Sequence, residues 1–226
     1  MKKSKYILYG LIAIALIAVY IFGGYIMQEP ERLPVYNPVD INPELVDSSL
    51  LRIGRNFRTG PFTVINHLGD TVTEETVKNR IRIVNFFFTT CPSICIDMTR
   101  ELRKVQEAFR GDERIVILSH TVMPEVDSLP VLQKYAHTNE IDPTNWWLVR
   151  ADQAEIQRLA RKVYFVVKSG EHSVNNDDHS FIHTENVVLV DKKGRLRGFY
   201  DGTDPEDMKR LIRHIHILQK DDTPKY

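Results

Sequence analysis

IRIVNFFFTTCPSICIDMTRELRKVQEAF, residues 81–109, decides how this chain is read. Its first eight residues, Ile81 to Phe88, are apolar apart from Arg82 and Asn85, as in a central strand covered on both faces. From Ile94 the apolar residues switch to helical spacing. Ile94, Met98, Leu102, Val105 and Phe109 form one stripe, and Gly111 stops it. Between strand and helix stand Cys91 and Cys95, the only two cysteines among 226 residues. Their place at the end of a strand and the start of a helix is that of a site rather than a staple.

The surrounding sequence repeats the alternation. Phe62 to Asn66 and Thr71 to Thr73 alternate apolar and polar residues around a turn with Gly69, which predicts a hairpin. Arg114 to Ser119 reads as a strand, the segment with Leu129, Leu132 and Tyr135 as a helix, Trp146 to Val149 as a shorter strand, and Gln153 to Val163 as a helix. A long polar segment, Lys168 to Ser180, leads into the strand Asn186 to Val190. Asp191 to Gly194 turns the chain back into Arg195 to Tyr200. The last helix opens with Asp204 as N-cap and Pro205 at its first position, and buries Met208, Leu211, Ile212, Ile215 and Leu218. This order predicts an α/β protein of thioredoxin-like fold, a central mixed sheet flanked by helices.

Three residues separate the cysteines, so on a helix they lie one turn apart on one face, with Cα atoms about 6 Å apart. A disulfide closes at that distance without strain. Two thiolates on one face are also half of a soft metal site, the kind that selects monovalent copper or zinc over magnesium or calcium. The blander alternatives are a framework disulfide or two buried core cysteines, although a bridge across so short a loop removes little unfolded-state entropy. Spacing alone leaves redox and metal chemistry both open. Pro92 fits the first position of the following helix, whose free amides would stabilise a thiolate, so Cys91 is the expected attacking thiol. Thioredoxin-type reductases have two intervening residues; the third residue here opens the pair enough to chelate an ion.

Lys2, Lys3 and Lys5 precede an uncharged apolar stretch, Tyr6 to Met27. About 20 such residues span the hydrocarbon core as a helix, and the lysines hold the N-terminus inside. A secretory signal, whose apolar region is usually about 7 to 15 residues, is the rival reading. The expected organisation is a cytoplasmic tip and transmembrane anchor over residues 1–28, an extended proline-containing tether over 29–50, and one domain over 51–226. The globular part would then lie on the outer, periplasmic side of the cytoplasmic membrane. The 30 basic and 30 acidic residues, with three lysines before the span, leave that part slightly acidic, which excludes nucleic acid as an expected partner.

A third ligand would come from the eight histidines. His183 stands out because it lies just before the strand Asn186 to Val190, and strand ends are where open α/β sheets place their sites. A histidine merely satisfied at a strand edge is the alternative. His120 also ends a strand and is the next candidate for the same mouth. His172 and His179 fall in the polar loop. His214 and His216 point apart on one helix, His67 reads as a turn residue and His137 as a surface one.

These residues resemble the Sco/SenC family, membrane-anchored thioredoxin-like factors that help assemble the binuclear copper centre of cytochrome c oxidase. The resemblance rests on FFFTTCPSIC for the family's Cys-Pro-x-x-Cys pattern, on IHTENVVLVDKKGRLRGFYDG for its histidine segment, and on the N-terminal anchor. It implies copper, monovalent or divalent, held by Cys91, Cys95 and His183. It implies as partner a copper-binding subunit of cytochrome c oxidase or another copper protein. The chain departs from many members in SHTVMPE, where they have a Ser-Ile-Asp-Pro-Glu run, and in Ile182, where some carry Asp. The expected function is a copper chaperone. The alternative is a thiol-disulfide oxidoreductase that reduces the copper-ligand cysteines of a partner, with Cys91 and Cys95 as its redox-active thiols. A peroxiredoxin-like peroxidase fits less well, since that family has Thr or Ser three residues before its reactive cysteine, where Cys91 has Phe88 and Cys95 has Pro92.

Overall fold

The computed structural model describes residues 15–20, 32–167 and 185–221. Among the described residues, seven strands form one mixed sheet: β1 Thr63–Asn66, β2 Thr71–Thr73, β3 Ile81–Phe87, β4 Ile115–Thr121, β5 Trp146–Arg150, β6 Asn186–Val190 and β7 Leu196–Asp201. Their spatial order is β2-β1-β5-β4-β3-β6-β7. β3 runs parallel to β4, and β4 to β5, while the other neighbours are antiparallel. Among the described residues, the α-helices that follow residue 32 are α1 Ile94–Ala108, α2 Leu129–Thr138, α3 Gln153–Arg158, which passes into a π turn over Leu159–Val163, and α4 Pro205–Asp221. This is the thioredoxin-like α/β sandwich that the element order predicts.

β3 lies inside the sheet and is buried along its whole length. Its side chains alternate between two cores, because successive residues of a strand point to opposite faces. Ile81, Ile83 and Phe87 join the apolar stripes of α1 and α4, among them Met98, Leu102, Val105, Met208, Leu211 and Ile215. Val84 and Phe86 face the other way, toward Ile156, Leu159, Val163 and Tyr164 of the α3 segment.

The two polar residues of the strand both find partners that offset their burial, although the Arg82 Nε has none. Arg82 donates to Glu74 at 2.7 Å and to Thr59 at 3.1 Å. Asn85 accepts from Ser119 Oγ at 2.6 Å, and that hydroxyl in turn accepts from Trp146 Nε1 at 2.8 Å. This chain of bonds ties β3, β4 and β5 together beneath α1. Asn85 Nδ2 also lies 3.6 Å from Met98 Sδ, one turn beyond Cys95.

The segment read as a tether is folded from residue 33 onward, as part of a compact unit, Leu33–Tyr226. Leu33, Ile41 and Val46 are buried. Tyr36 N donates to Leu196 O at 2.9 Å, and the Arg197 guanidinium holds the carbonyls of Leu33 and Pro34. The segment has two short 3-10 turns and no regular period, so its apolar residues carry no helical or strand signature in the sequence.

Residues 15–20 are helical, with Leu16, Ile17, Val19 and Tyr20 exposed. The rest of the expected span, Tyr6 to Met27, lies outside the described residues. Among the described residues, no helix is long and apolar enough to cross a membrane.

Candidate functional site

β3 ends at Phe87 and α1 begins at Ile94, so the cysteines occupy the turn and the first helical residues between them. Ser93 is the N-cap, with φ −139° and ψ −97°. Its carbonyl accepts from Ile96 N at 2.9 Å. Pro92 therefore stands one residue ahead of the cap, not at the first helical position that its ring would suit. Ser93, whose backbone departs from the helix, takes the boundary instead. Cys95 is the second helical residue, and Cys91 lies in the preceding turn, where its N–H donates to Phe88 O at 3.3 Å. Cys91 lies ahead of the helix, so the pair is not stacked on one helix face, and the two thiols are near enough for each to shift the other's ionisation.

Both cysteines are free and buried, Cys91 7% and Cys95 3% exposed. They share the core cluster of Phe87, Met98, Val187 and Met208. Their electrostatics are unequal. Burial raises the pKa of the Cys91 thiol, but hydrogen bonds from the Cys95 thiol, from the amides of Ser93 and Cys95 and from the Ser93 side chain outweigh it, so the pKa lies below its ordinary value. These are the free donors of a helix start, which act here on a sulfur outside the helix. Burial pushes Cys95 up to about 12, and its bond to Cys91 and the charges of Cys91 and Asp127 add to the rise. The reduced pair is thus one thiolate-prone sulfur backed by one firmly protonated one.

Two polar groups border the thiols. Tyr135 OH and Thr99 Oγ1 are 3.0 Å apart, and burial, together with the cysteine and Asp127 charges, raises the tyrosine above its ordinary pKa despite that bond. Asp127, fully buried, accepts from Thr89 of the cysteine turn. Sequence reasoning missed Asp127. It sits 38 residues from Thr89, and no local sequence pattern points to the contact.

His120 does not join the thiols. In the parallel register His120 stands opposite Phe86, and Thr121 opposite Phe87. It therefore shares the face of Phe86, while Phe87 shares that of the cysteines. The His120 ring stacks on Phe86 at 5.1 Å, fully buried, and neither ring nitrogen has a hydrogen-bond partner. Burial lowers its pKa to about 3. His67, read as a turn residue, is buried, and its Nδ1 accepts from Leu148 N at 3.2 Å. His214 bonds Tyr200 OH at 2.7 Å, and His137 is exposed. His183, His172 and His179 lie outside the described residues. Among the described residues, no three His, Cys, Asp or Glu side chains converge as a metal site, and Cys91 and Cys95 supply two soft donors.

A buried pair of free thiols on this turn, in this fold, invites comparison with known proteins. The family model described as SCO1/SenC matches residues 52–218. The chain belongs to the SCO1/SenC family. It is 30% identical over 163 residues to the SCO1 protein homolog of Bacillus subtilis, covering 71% of this chain and 82% of that protein. It is 28% identical over 144 residues to protein SenC of Rhodobacter capsulatus, 63% of this chain and 62% of that one. Among solved structures, BsSco, described as a member of the Sco family of cytochrome c oxidase assembly proteins with a disulfide switch, superposes with a TM-score of 0.61 at 27% identity, over 73% of this chain and 95% of that one. Copper-bound ScoI of Bradyrhizobium japonicum shares the fold, with a TM-score of 0.55 at 24% identity over 69% and 97% of the two chains.

Proposed function

We propose that this protein is a membrane-anchored copper chaperone that delivers copper to, or matures, the copper centre of cytochrome c oxidase. The observation that carries the reading is the free, buried Cys91 and Cys95 pair at the start of α1, in a chain of the SCO1/SenC family. Two such sulfurs suit monovalent copper, and an imidazole added to them supports the divalent state, so exchange with a partner can proceed from either. His183 is the ligand that the family resemblance supplies, and its sequence position before β6 supports it. Copper relatives of the same fold support the choice of metal. Protons compete for all three ligands, so affinity falls at acid pH.

Copper binding by the reduced protein tests the reading, with wild type beside His183→Ala and both monovalent and divalent copper. The variant should lose divalent copper and its thiolate charge-transfer absorption while retaining monovalent copper more weakly on the two sulfurs. Unchanged divalent binding with an unchanged spectrum would remove His183 from the site. The anchor and the outer location rest on the lysine cluster and the apolar run of the sequence. A reporter that is active only outside the cytoplasmic membrane, fused after Gln28, should be active; an N-terminus found near Tyr25 in the mature protein would replace the anchor with a cleaved signal.

The unequal thiols favour a second reading, thiol-disulfide exchange with a partner's copper-ligand cysteines. A thiolate-prone Cys91 is the attacking sulfur, and Cys95 resolves the mixed disulfide. The His183→Ala variant separates the two, because exchange needs both thiols and not the imidazole.

A further inference from the structure

We propose that Asp127 is a positioning residue of the dithiol, its carboxylate holding the turn from Thr89 to Cys91 so that the two sulfurs stay within reach of one another. The side chain is 0% exposed. Oδ1 accepts from Thr89 Oγ1 at 2.5 Å. Oδ2 accepts from Thr89 N at 3.2 Å and from the Thr121 hydroxyl at the end of β4. One carboxylate therefore gathers three donors from two segments, one of which is the turn that carries Cys91. Thr89 is two residues from Cys91 and follows the carbonyl of Phe88 that receives the Cys91 amide.

No ion pair to Asp127 exists among the described residues. Removing a carboxylate from water without a cation is costly, and the three hydrogen bonds are what offset it. Packing alone would be served at lower cost by an apolar side chain. The bonds lock the amide and hydroxyl of a residue that has no regular secondary structure to hold it. The turn is then ordered before the sulfurs react, which lowers the entropy lost when they join.

In that oxidation the Cys91 and Cys95 thiols lose two protons and two electrons and form one S–S bond. The electrons and protons pass to a small disulfide such as oxidised glutathione, which becomes two thiols. The equilibrium constant measures how well the two sulfurs are held together. The proposal rests on Cys91 and Cys95 being the working thiols, and because the measurement is made without copper, a failed copper assignment would not register in it.

The test is equilibration of the full-length chain in detergent with glutathione redox buffers, for wild type, Asp127→Ala, Asp127→Asn and Thr89→Ala. Asp127→Ala should lower the oxidation constant at least ten-fold, which raises the potential by about 30 mV. Thr89→Ala should shift it in the same direction by less, because its amide remains. Asp127→Asn should stay near wild type, since the amide oxygen can take the place of Oδ2 and its NH2 can reach the Thr89 hydroxyl. Wild-type constants in Asp127→Ala and Thr89→Ala would overturn the proposal, whatever happens to their melting. An Asp127→Asn shift as large as that of Asp127→Ala would also overturn it, because charge and not position would then be responsible. If Asp127→Ala does not fold, Thr89→Ala decides.

Discussion

His120 makes the stability of this fold depend on acid in a way that one substitution should remove. Its ring is fully buried against Phe86, with Tyr164 at 6.0 Å, and both nitrogens lack partners. Burial lowers its pKa from 6.5 to about 3. Above pH 6.5 the ring is neutral in both states and costs nothing in protonation. As pH falls below that value the unfolded chain binds a proton that the folded chain refuses until about pH 3, so stability is lost progressively across that window. At about 1.4 kcal/mol per pH unit, the loss from this group at pH 5 comes to about 2 kcal/mol. His120→Leu has nearly the same volume, places no unpaired nitrogen in the core and does not titrate. Urea unfolding of residues 33–226 at pH 7.5 and pH 5 measures both chains. The variant should lose about 2 kcal/mol less than wild type between the two conditions, and at pH 7.5 it should be at least as stable. His67, also lowered by burial, is present in both and cancels. Equal losses in the two chains would mean that His120 finds water or a partner when folded, and the reasoning from its burial would fail.

Alkylation at neutral pH should modify Cys91 well before Cys95, because one sulfur is held toward its thiolate and the other is pushed up to about 12; peptide mapping that finds Cys95 labelled first would contradict the assignment of Cys91 as the attacking thiol. Ser119→Ala strands Asn85 Oδ1 and Trp146 Nε1 in the core. It should cost about 2–4 kcal/mol, and a wild-type urea midpoint would show that the relay carries no stability. Gly202→Ala places a Cβ 2.6 Å from Met98 Cγ, 2.8 Å from Val187 Cγ2 and 2.9 Å from the Glu185 carbonyl oxygen. Overpacking beside the cysteine helix should cost about 1–3 kcal/mol, and an unaltered melting temperature would mean that α1 shifts to accommodate the methyl.

The sequence was sufficient for the order of elements and the place of the thiols, because both depend on local patterns. An apolar run with few polar residues marks β3, helical spacing from Ile94 to Phe109 marks α1, and Asp204 followed by Pro205 marks the start of α4. The apolar signals survive in the fold because most of the residues that carry them are buried. The thiol pair was legible for the same reason: two cysteines at a strand-to-helix junction need no distant partner to be noticed. The family followed from that motif and from the segment around His183.

Tertiary structure decided what depends on residues far apart in the chain. Whether His120 faces the thiols turns on the register of β4 against β3, where one residue of offset moves a side chain to the other face of the sheet. The joining of Thr89 to Asp127 spans 38 residues, and no local pattern marks it. The inequality of the two thiols arises from the different burial and hydrogen bonding of sulfurs four residues apart. Even the start of α1 lies beyond Pro92, at the residue after Ser93, whose φ of −139° and ψ of −97° fall outside the helix against proline's local preference. Periodicity along a chain records which residues are buried; which of them meet is fixed only when the sheet pairs and the turns close.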